Sequence, residues 1–262
     1  MKNMILSKRY LLVAVAASAV LAVLLAVSAT PKPPPPVTCT ATRVTVLLGG
    51  VSGSQRGPTQ RSRFLAHAKN SLYQSTVCGG SAVIEVWSTA GSVRVLWGRN
   101  DTIAVAGATT RSRQLAAARV IPAAMGTITA RYDAALSDLP ARGSAFLAWR
   151  TIAADALAEL DPAQRPVAAV EVVDDGVQVD DTINLNRPLT TADATQIALT
   201  VPAAVDLRGA AVALVGVGEV AGPPPPAGGE WVAAVRAFAL ATCSATGANC
   251  QVLGASASVS DN

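Results

Sequence analysis

The sequence holds a single histidine in 262 residues, only 4% aromatics and 15% charged residues. The scarcity of histidine removes one class of enzyme. A serine hydrolase on an open α/β sheet draws its base from late in the chain, in the order Ser…Asp…His. His67 stands early, on a helix-like segment, and reads as a surface or helix-packing residue. The stretch Gly50-Val51-Ser52-Gly53-Ser54 approaches a nucleophile elbow but ends in Ser where Gly is required. A P-loop lysine is also missing, because Gln55-Arg56-Gly57-Pro58 occupies its place. Gly216–Gly222 carries its third glycine one residue late for a dinucleotide loop. Pro223–Pro226 then displace the helix N-terminus that would hold a pyrophosphate, so no nucleotide is expected. No C-x-x-C pair suggests zinc or dithiol redox chemistry. Charge of either sign is in short supply too: beyond about residue 30, 18 basic groups face 17 acidic ones. A nearly neutral body has little long-range pull on polyanions, which excludes nucleic-acid binding as a main function.

What is abundant is apolar sequence at the N-terminus. Leu11–Ala29 is uncharged and apolar but for two serines, and it follows Lys8-Arg9. About nineteen helical residues span roughly 28 Å, close to the hydrocarbon thickness of a bilayer. The basic tail, residues 1–10, would stay cytoplasmic and the bulk of the chain would be exported. Val27-Ser28-Ala29 has the small residues a signal peptidase needs, so 11–29 is either an uncleaved transmembrane signal anchor or a cleaved signal peptide. No lipoprotein box is present, since Cys39 follows a polar, proline-rich stretch. Residues 30–38 form that spacer, extended by Pro31 and Pro33–Pro36.

In an oxidising compartment four cysteines favour bridges. Cys39 lies just before the first strand and Cys78 just before the second, while Cys243 and Cys250 bracket a short loop. The expected pairs are Cys39–Cys78 and Cys243–Cys250. The chain itself is organised around Arg43–Ser54, where Val44, Val46, Leu47 and Leu48 stop at Gly49-Gly50 and a small polar loop follows. Helix-like segments are expected at 59–75, 111–118, 125–136, 144–160, 190–199 and 230–242. Strand-like runs are expected at 82–87, 92–97, 167–173, 211–217 and 250–253. Their alternation, with continuous apolar runs in the buried strands, predicts an α/β, three-layer, doubly wound and mostly parallel sheet. The turn at Ala90-Gly91 adds one antiparallel edge strand, and residues 255–262 form a polar tail.

This succession resembles the von Willebrand factor type A domain over about 43–254. The resemblance rests on a first strand ending in a loop like D-x-S-x-S, then a helix and a short antiparallel edge hairpin. Arg142-Gly143-Ser144 resembles the family's Gly-Thr loop, and VEVVDDG over Val170–Gly176 its fourth strand ending in Asp-Gly. Leu207–Gly218, the helix at 230–242 and Gly247–Leu253 resemble its closing strand–helix–strand. The resemblance implies a metal-ion-dependent adhesion site made of Ser52, Ser54, Ser144 and Asp175, or Asp174 if the register slips by one. The family's leading aspartate falls on Gly50. A hard cation such as Mg²⁺ or Mn²⁺ needs carboxylates in its octahedron, so this departure implies weak or absent metal binding. Without a cation, Ser52 and Ser54 would cap the following turn and Asp174-Asp175-Gly176 would be a solvated strand end.

Arg56, Arg61, Arg63 and Lys69 cluster in and after the first loop, and Arg111 and Arg113 add to the basic count. They form either a recognition rim, with Arg56 and Arg61 at its centre, or a solvated helix face. The resulting expectation is a cell-membrane, single-pass protein with its C-terminal domain outside the cytoplasm. It would recognise a protein partner in the cell envelope without catalysis. The alternatives are an exported hydrolase or small-ligand binder using the same cleft, or a structural subunit of an envelope complex.

Overall fold

Strand β1, Val44–Gly50, is buried along its whole length because it is paired on both sides, with β2 (Ser81–Trp87) and with β5 (Ala168–Val173). A strand in that position has no solvent face, which is why VTVLLGG lacks the alternation of a half-exposed strand. The computed structural model describes residues 37, 39, 44–88, 92–98, 100–101, 103–141, 144–158, 168–202, 205–220 and 228–254. The expected membrane segment 11–29, most of the spacer and the polar tail lie outside the described residues. No helix among the described residues is long and apolar enough to cross a membrane.

The main sheet has six strands in the order β3-β2-β1-β5-β7-β8, where β3 is Val93–Trp97, β7 Ala211–Val215 and β8 Asn249–Leu253. All neighbours are parallel except β2 and β3, so the single antiparallel strand sits at an edge. Two further short strands, β4 (Ser144–Ala145) and β6 (Gln178–Val179), pair antiparallel in a small separate sheet that the sequence reading does not contain.

Helices α1 (Pro58–Cys78) and α2 (Thr110–Asp138) cover one face of the main sheet. Phe64, Leu72, Ile121 and Ile128 pack there with Leu47, Ile84 and Val215. Helices α3 (Ala148–Ala158), α4 (Thr191–Thr200) and α5 (Gly228–Ser244) cover the other, where Trp149, Ala194, Trp231 and Phe238 meet Val46, Val170 and Leu214. A mixed α/β fold with a mostly parallel six-stranded sheet between two helical layers results.

Local chemistry fixes the helix ends. Pro58 opens α1, where its missing N–H is harmless, and Gly79 closes it in the left-handed region at φ 73°. Thr109 with Ser112 and Thr190 with Asp193 make capping boxes at the starts of α2 and α4. One sequence expectation fails here. The two helices expected at 111–118 and 125–136 are one helix of 29 residues that runs through Pro122. A proline removes one helical hydrogen bond. Here Ile121, Ala124 and Ile128 are buried on either side of it, and that packing keeps the helix continuous.

The helix expected over 144–160 is shorter, because Ser144–Ala145 is drawn into the small sheet and the helix opens only at Ala148. Cys39 is bonded to Cys78 and Cys243 to Cys250. The first bridge ties the chain ahead of β1 to the end of α1, and the second ties α5 to β8. On a chain-entropy reading, loops of these lengths are worth about 4 and about 2.5 kcal/mol.

Candidate functional site

Counting only main-sheet strands, the order is 3-2-1-4-5-6, and the order reverses between β1 and β5. In open parallel sheets the loops leaving such a pair at the carboxyl ends diverge to opposite faces and open a crevice. The residues at that end are Gly50, which closes β1, Ser52 and Ser54 after it, and Asp174 and Asp175 after β5. The first-loop and fourth-strand positions expected from sequence are therefore brought together.

The link across the crevice is direct. Ser54 Oγ donates to Asp175 Oδ2 at 2.5 Å, and Ser52 Oγ lies 3.4 Å from Ser54 Oγ. Val177 N–H donates to Asp175 Oδ1 at 3.0 Å, and Gly176 N–H to Asp174 Oδ1 at 2.8 Å. Gly176 takes φ 76°, the left-handed turn that lets the backbone fold back onto its own carboxylates. Asp174 and Asp175 are 4% and 0% exposed, so the solvated strand end expected for a metal-free loop is not what forms. Ser52 gives no side-chain cap to the turn after it, which corrects the capping expectation for that serine.

The carboxylate absent from position 50 has a replacement. A Cβ placed on Gly50 would fall 1.8 Å from Asp174 Oδ2. Asp174 thus reaches from β5 into the space that a side chain on residue 50 would fill. Burial, and next the neighbouring Asp175 charge, push the Asp174 carboxyl well above the usual carboxylate range; the Gly176 N–H opposes this only in part. The site holds two buried acid groups and two hydroxyls, a donor set of hard oxygens suited to Mg²⁺ in kind. A carboxyl raised in this way supplies less negative charge to a cation than an ordinary carboxylate does. No group of three or more His, Cys, Asp or Glu placed to hold a metal occurs among the described residues.

Ser144 enters through its backbone. It pairs with Val179 across the small sheet, and its neighbour Ala145 accepts a hydrogen bond from Trp87 Nε1 at 3.0 Å. Leu147 N–H donates to Gln178 Oε1 at 3.0 Å, and Ala141 O lies 3.1 Å from where a Cβ on Gly53 would stand. Ala141 therefore lies against the first loop, and residues 144–147 lie beside the end of β2 and against Gln178.

The basic rim is the largest departure from the sequence reading. Arg56 turns inward and donates through Nε to Val51 O at 3.0 Å, through Nη2 to Leu139 O at 2.5 Å, and through Nη1 to Leu136 O. It satisfies the orphan carbonyls at the end of α2. Arg61 forms a two-point pair with Asp133 of α2, with contacts of 2.8 and 2.7 Å. Arg63 reaches Glu219 at 2.7 Å, passing over Gly216, whose added Cβ would lie 2.8 Å from Arg63 Nη1. These arginines fasten loop and helix to their neighbours, so Arg56 and Arg61 do not stand as a free recognition rim. His67, expected at a surface or in helix packing, is buried and bound to Glu171 of β5. That pair went unnoticed in sequence. Its one signal is an acid inside the apolar run VAAVEVV.

No family model matches the chain. No curated protein matches it. Among the solved structures it is similar to is one described as the crystal structure of an aerotolerance-related membrane protein from Bacteroides fragilis NCTC 9343 with multiple mutations to serines. The two share 15% sequence identity at a TM-score of 0.33, over 84% of this chain and 94% of that one.

Proposed function

We propose that this chain is a membrane-anchored, extracytoplasmic recognition or assembly module of the cell envelope, of von Willebrand type A-like architecture, that binds a protein partner without catalysis. The observation that carries the reading is the Ser54–Asp175 hydrogen bond across the β1/β5 reversal, the position where an open α/β sheet binds. The order of the six main strands, with one antiparallel edge strand, agrees with the resemblance drawn from sequence.

A non-catalytic role is supported by the fate of the one imidazole. Glu171, which holds His67, precedes Asp175 by four residues, about 13 Å along an extended strand. The imidazole is thereby held away from the Ser54–Asp175 contact. Weak or absent cation binding is supported by Asp174, whose carboxyl is held above the usual range by burial and by Asp175, which lowers the charge available to Mg²⁺ or Mn²⁺.

The test is affinity capture from envelope extracts with the full chain in detergent, with and without EDTA. Gly53→Arg serves as the obstructed form, because Gly53 is exposed on the first loop. The expected result is a captured protein that survives EDTA and is lost with Gly53→Arg, while circular dichroism is unchanged. Capture indifferent to Gly53→Arg would place the contact elsewhere and overturn the reading. Calorimetric titration with Mg²⁺ and Mn²⁺ is expected to stay silent. Heat that Ser52→Ala abolishes would restore a metal-dependent site.

A further inference from the structure

Along β5, residues 171 and 173 project to the side of the sheet that α1 covers, by the two-residue period of a strand, and Asp175 lies two residues past the strand's end. Two of them are acids, and both hold the same unit. Asp175 accepts from Ser54, in the loop that opens into α1. Glu171 accepts from Ser71 Oγ at 3.1 Å and is bonded to His67 Nδ1, both on α1 itself. Glu171 and His67 are 3% and 6% exposed, inside the layer built by Leu47, Ala68, Leu72 and Ala213. One central strand and the turn after it thus grip the loop and the helix at two levels through carboxylates.

We propose that the His67–Glu171 pair is a proton-held clamp that seats α1 on the sheet, and that through α1 it sets the position of the loop carrying Ser52 and Ser54. With one proton shared between an imidazole and a carboxylate, the pair is neutral as a unit, whether written as an ion pair or as two neutral groups. Removing that proton leaves a net negative charge in an apolar layer, and adding a second leaves a net positive one. Either is expensive in low dielectric, so losing the shared proton loosens the seat of the helix. The linkage sign follows. A histidine that gains a partner on folding contributes stability that is full below its unfolded value of about 6.5, and that contribution is lost as pH rises through the folded midpoint.

Other charges near the pair are already committed or face away. β1 and β7 carry no titratable group, and β8 contributes only the polar Gln251 to that row. Glu85 of β2 lies in register with Leu48, whose side chain belongs to the opposite layer. On α1, Arg61 is paired with Asp133 and Arg63 with Glu219, Lys69 is exposed, and Tyr73 lies two residues past Ser71. On α2, Tyr132 stacks on Phe64, Arg131 is held by Asp101, and Arg111 and Arg113 lie in the first turn. Past the end of β5 the nearer acids are Asp174 and Asp175, which bond to Gly176, Val177 and Ser54.

The single histidine makes the test direct. The full chain in detergent micelles, labelled with ¹³C-histidine and ¹⁵N-glycine, gives one imidazole signal together with Gly49, Gly50 and Gly53 at the rim. The expected His67 midpoint lies at least one unit above the ordinary value of about 6.5, with rim glycine shifts following the same curve. Glu171→Gln is expected to bring the midpoint down by at least one unit and to abolish the linked glycine shifts. Should Glu171→Gln fail to fold, His67→Gln serves in its place, and rim glycines that no longer respond between pH 6 and 9 support the clamp. A wild-type midpoint at or below about 6.5, or rim signals that ignore the histidine curve, overturns it.

Discussion

Asp174 Oδ2 lies 1.8 Å from the position a Cβ on Gly50 would take, so the two residues compete for one space. Gly50 and Asp174 are therefore a coupled pair: the glycine is required while the aspartate stands there. The expected consequence concerns attempts to rebuild a cation site. Gly50→Asp alone will overpack the corner and lower stability by about 3 kcal/mol, the upper end for such insertions, without gaining Mg²⁺ affinity. Gly50→Asp combined with Asp174→Ser vacates the space and supplies a carboxylate from β1. The double variant is expected to recover most of the stability and to bind Mg²⁺ measurably by calorimetry. Equal destabilisation in the single and double variants would show that the two positions are independent.

The acid pair also predicts a pH response. The Asp174 carboxyl is held above its ordinary value of 3.8 by burial and by Asp175, so the folded chain holds a proton more tightly than the unfolded chain does. Stability from this group is full below the ordinary carboxyl value and is lost as pH rises through the folded value. Asp174→Asn keeps an acceptor for Gly176 N–H and removes the ionisation. At pH 8 it is expected to be more stable than the parent by about 1–3 kcal/mol, the scale of one poorly solvated buried group. The gap should close toward pH 4 in urea melts. A constant gap across that range would mean that the proton on Asp174 plays no part.

Much of this architecture was legible because it depends on local pattern. The buried run VTVLLGG and the helices expected at 59–75 and 190–199 each follow a local pattern, and they form at Val44–Gly50, Pro58–Cys78 and Thr191–Thr200. The bringing together of Ser54 and Asp175 was legible through the order of elements. What stayed hidden depends on tertiary partners. Arg56 looks like a loop cation until Leu136 and Leu139 supply carbonyls about eighty residues away. Asp174 looks like a duplicate of Asp175 until its carboxylate enters the space above Gly50. The continuity of α2 through Pro122 is hidden for the same reason, since buried contacts on both sides override the break signal.

Arg56 and Arg61 separate fastening from recognition. Arg56 donates to three backbone carbonyls that close α2 and the first loop. Arg56→Ala is expected to cost about 2–3 kcal/mol, as charged donors to buried acceptors do. Arg56→Lys should recover little of this, since one ammonium cannot match the fork. Arg61→Ala removes a half-exposed pair with Asp133 and should cost about 0.5 kcal/mol. Chemical denaturation of the three variants checks the order. A larger loss at Arg61 than at Arg56 would reverse the assignment.

Arg150 of α3 presents the opposite case, a cation buried without a counter-charge among the described residues. It is 7% exposed, its Nε finds no acceptor, and its Nη1 reaches Pro202 O only at 3.3 Å. No ion pair to it forms among the described residues. Burial holds its pKa below the usual arginine value, so the folded chain binds this proton less tightly than the unfolded chain does. The penalty therefore applies throughout the neutral range, well below either value. The aliphatic stem packs usefully while the guanidinium loses hydration with little in return. Arg150→Met keeps the stem and removes the charge. It is expected to raise stability by about 1–2 kcal/mol, in line with replacing buried charges by apolar groups of similar volume. Arg150→Ala should lose stability through the cavity it leaves. If urea melts show Arg150→Met to be destabilised as much as Arg150→Ala, the guanidinium itself is needed, and an acceptor supplied by a partner becomes the explanation to test.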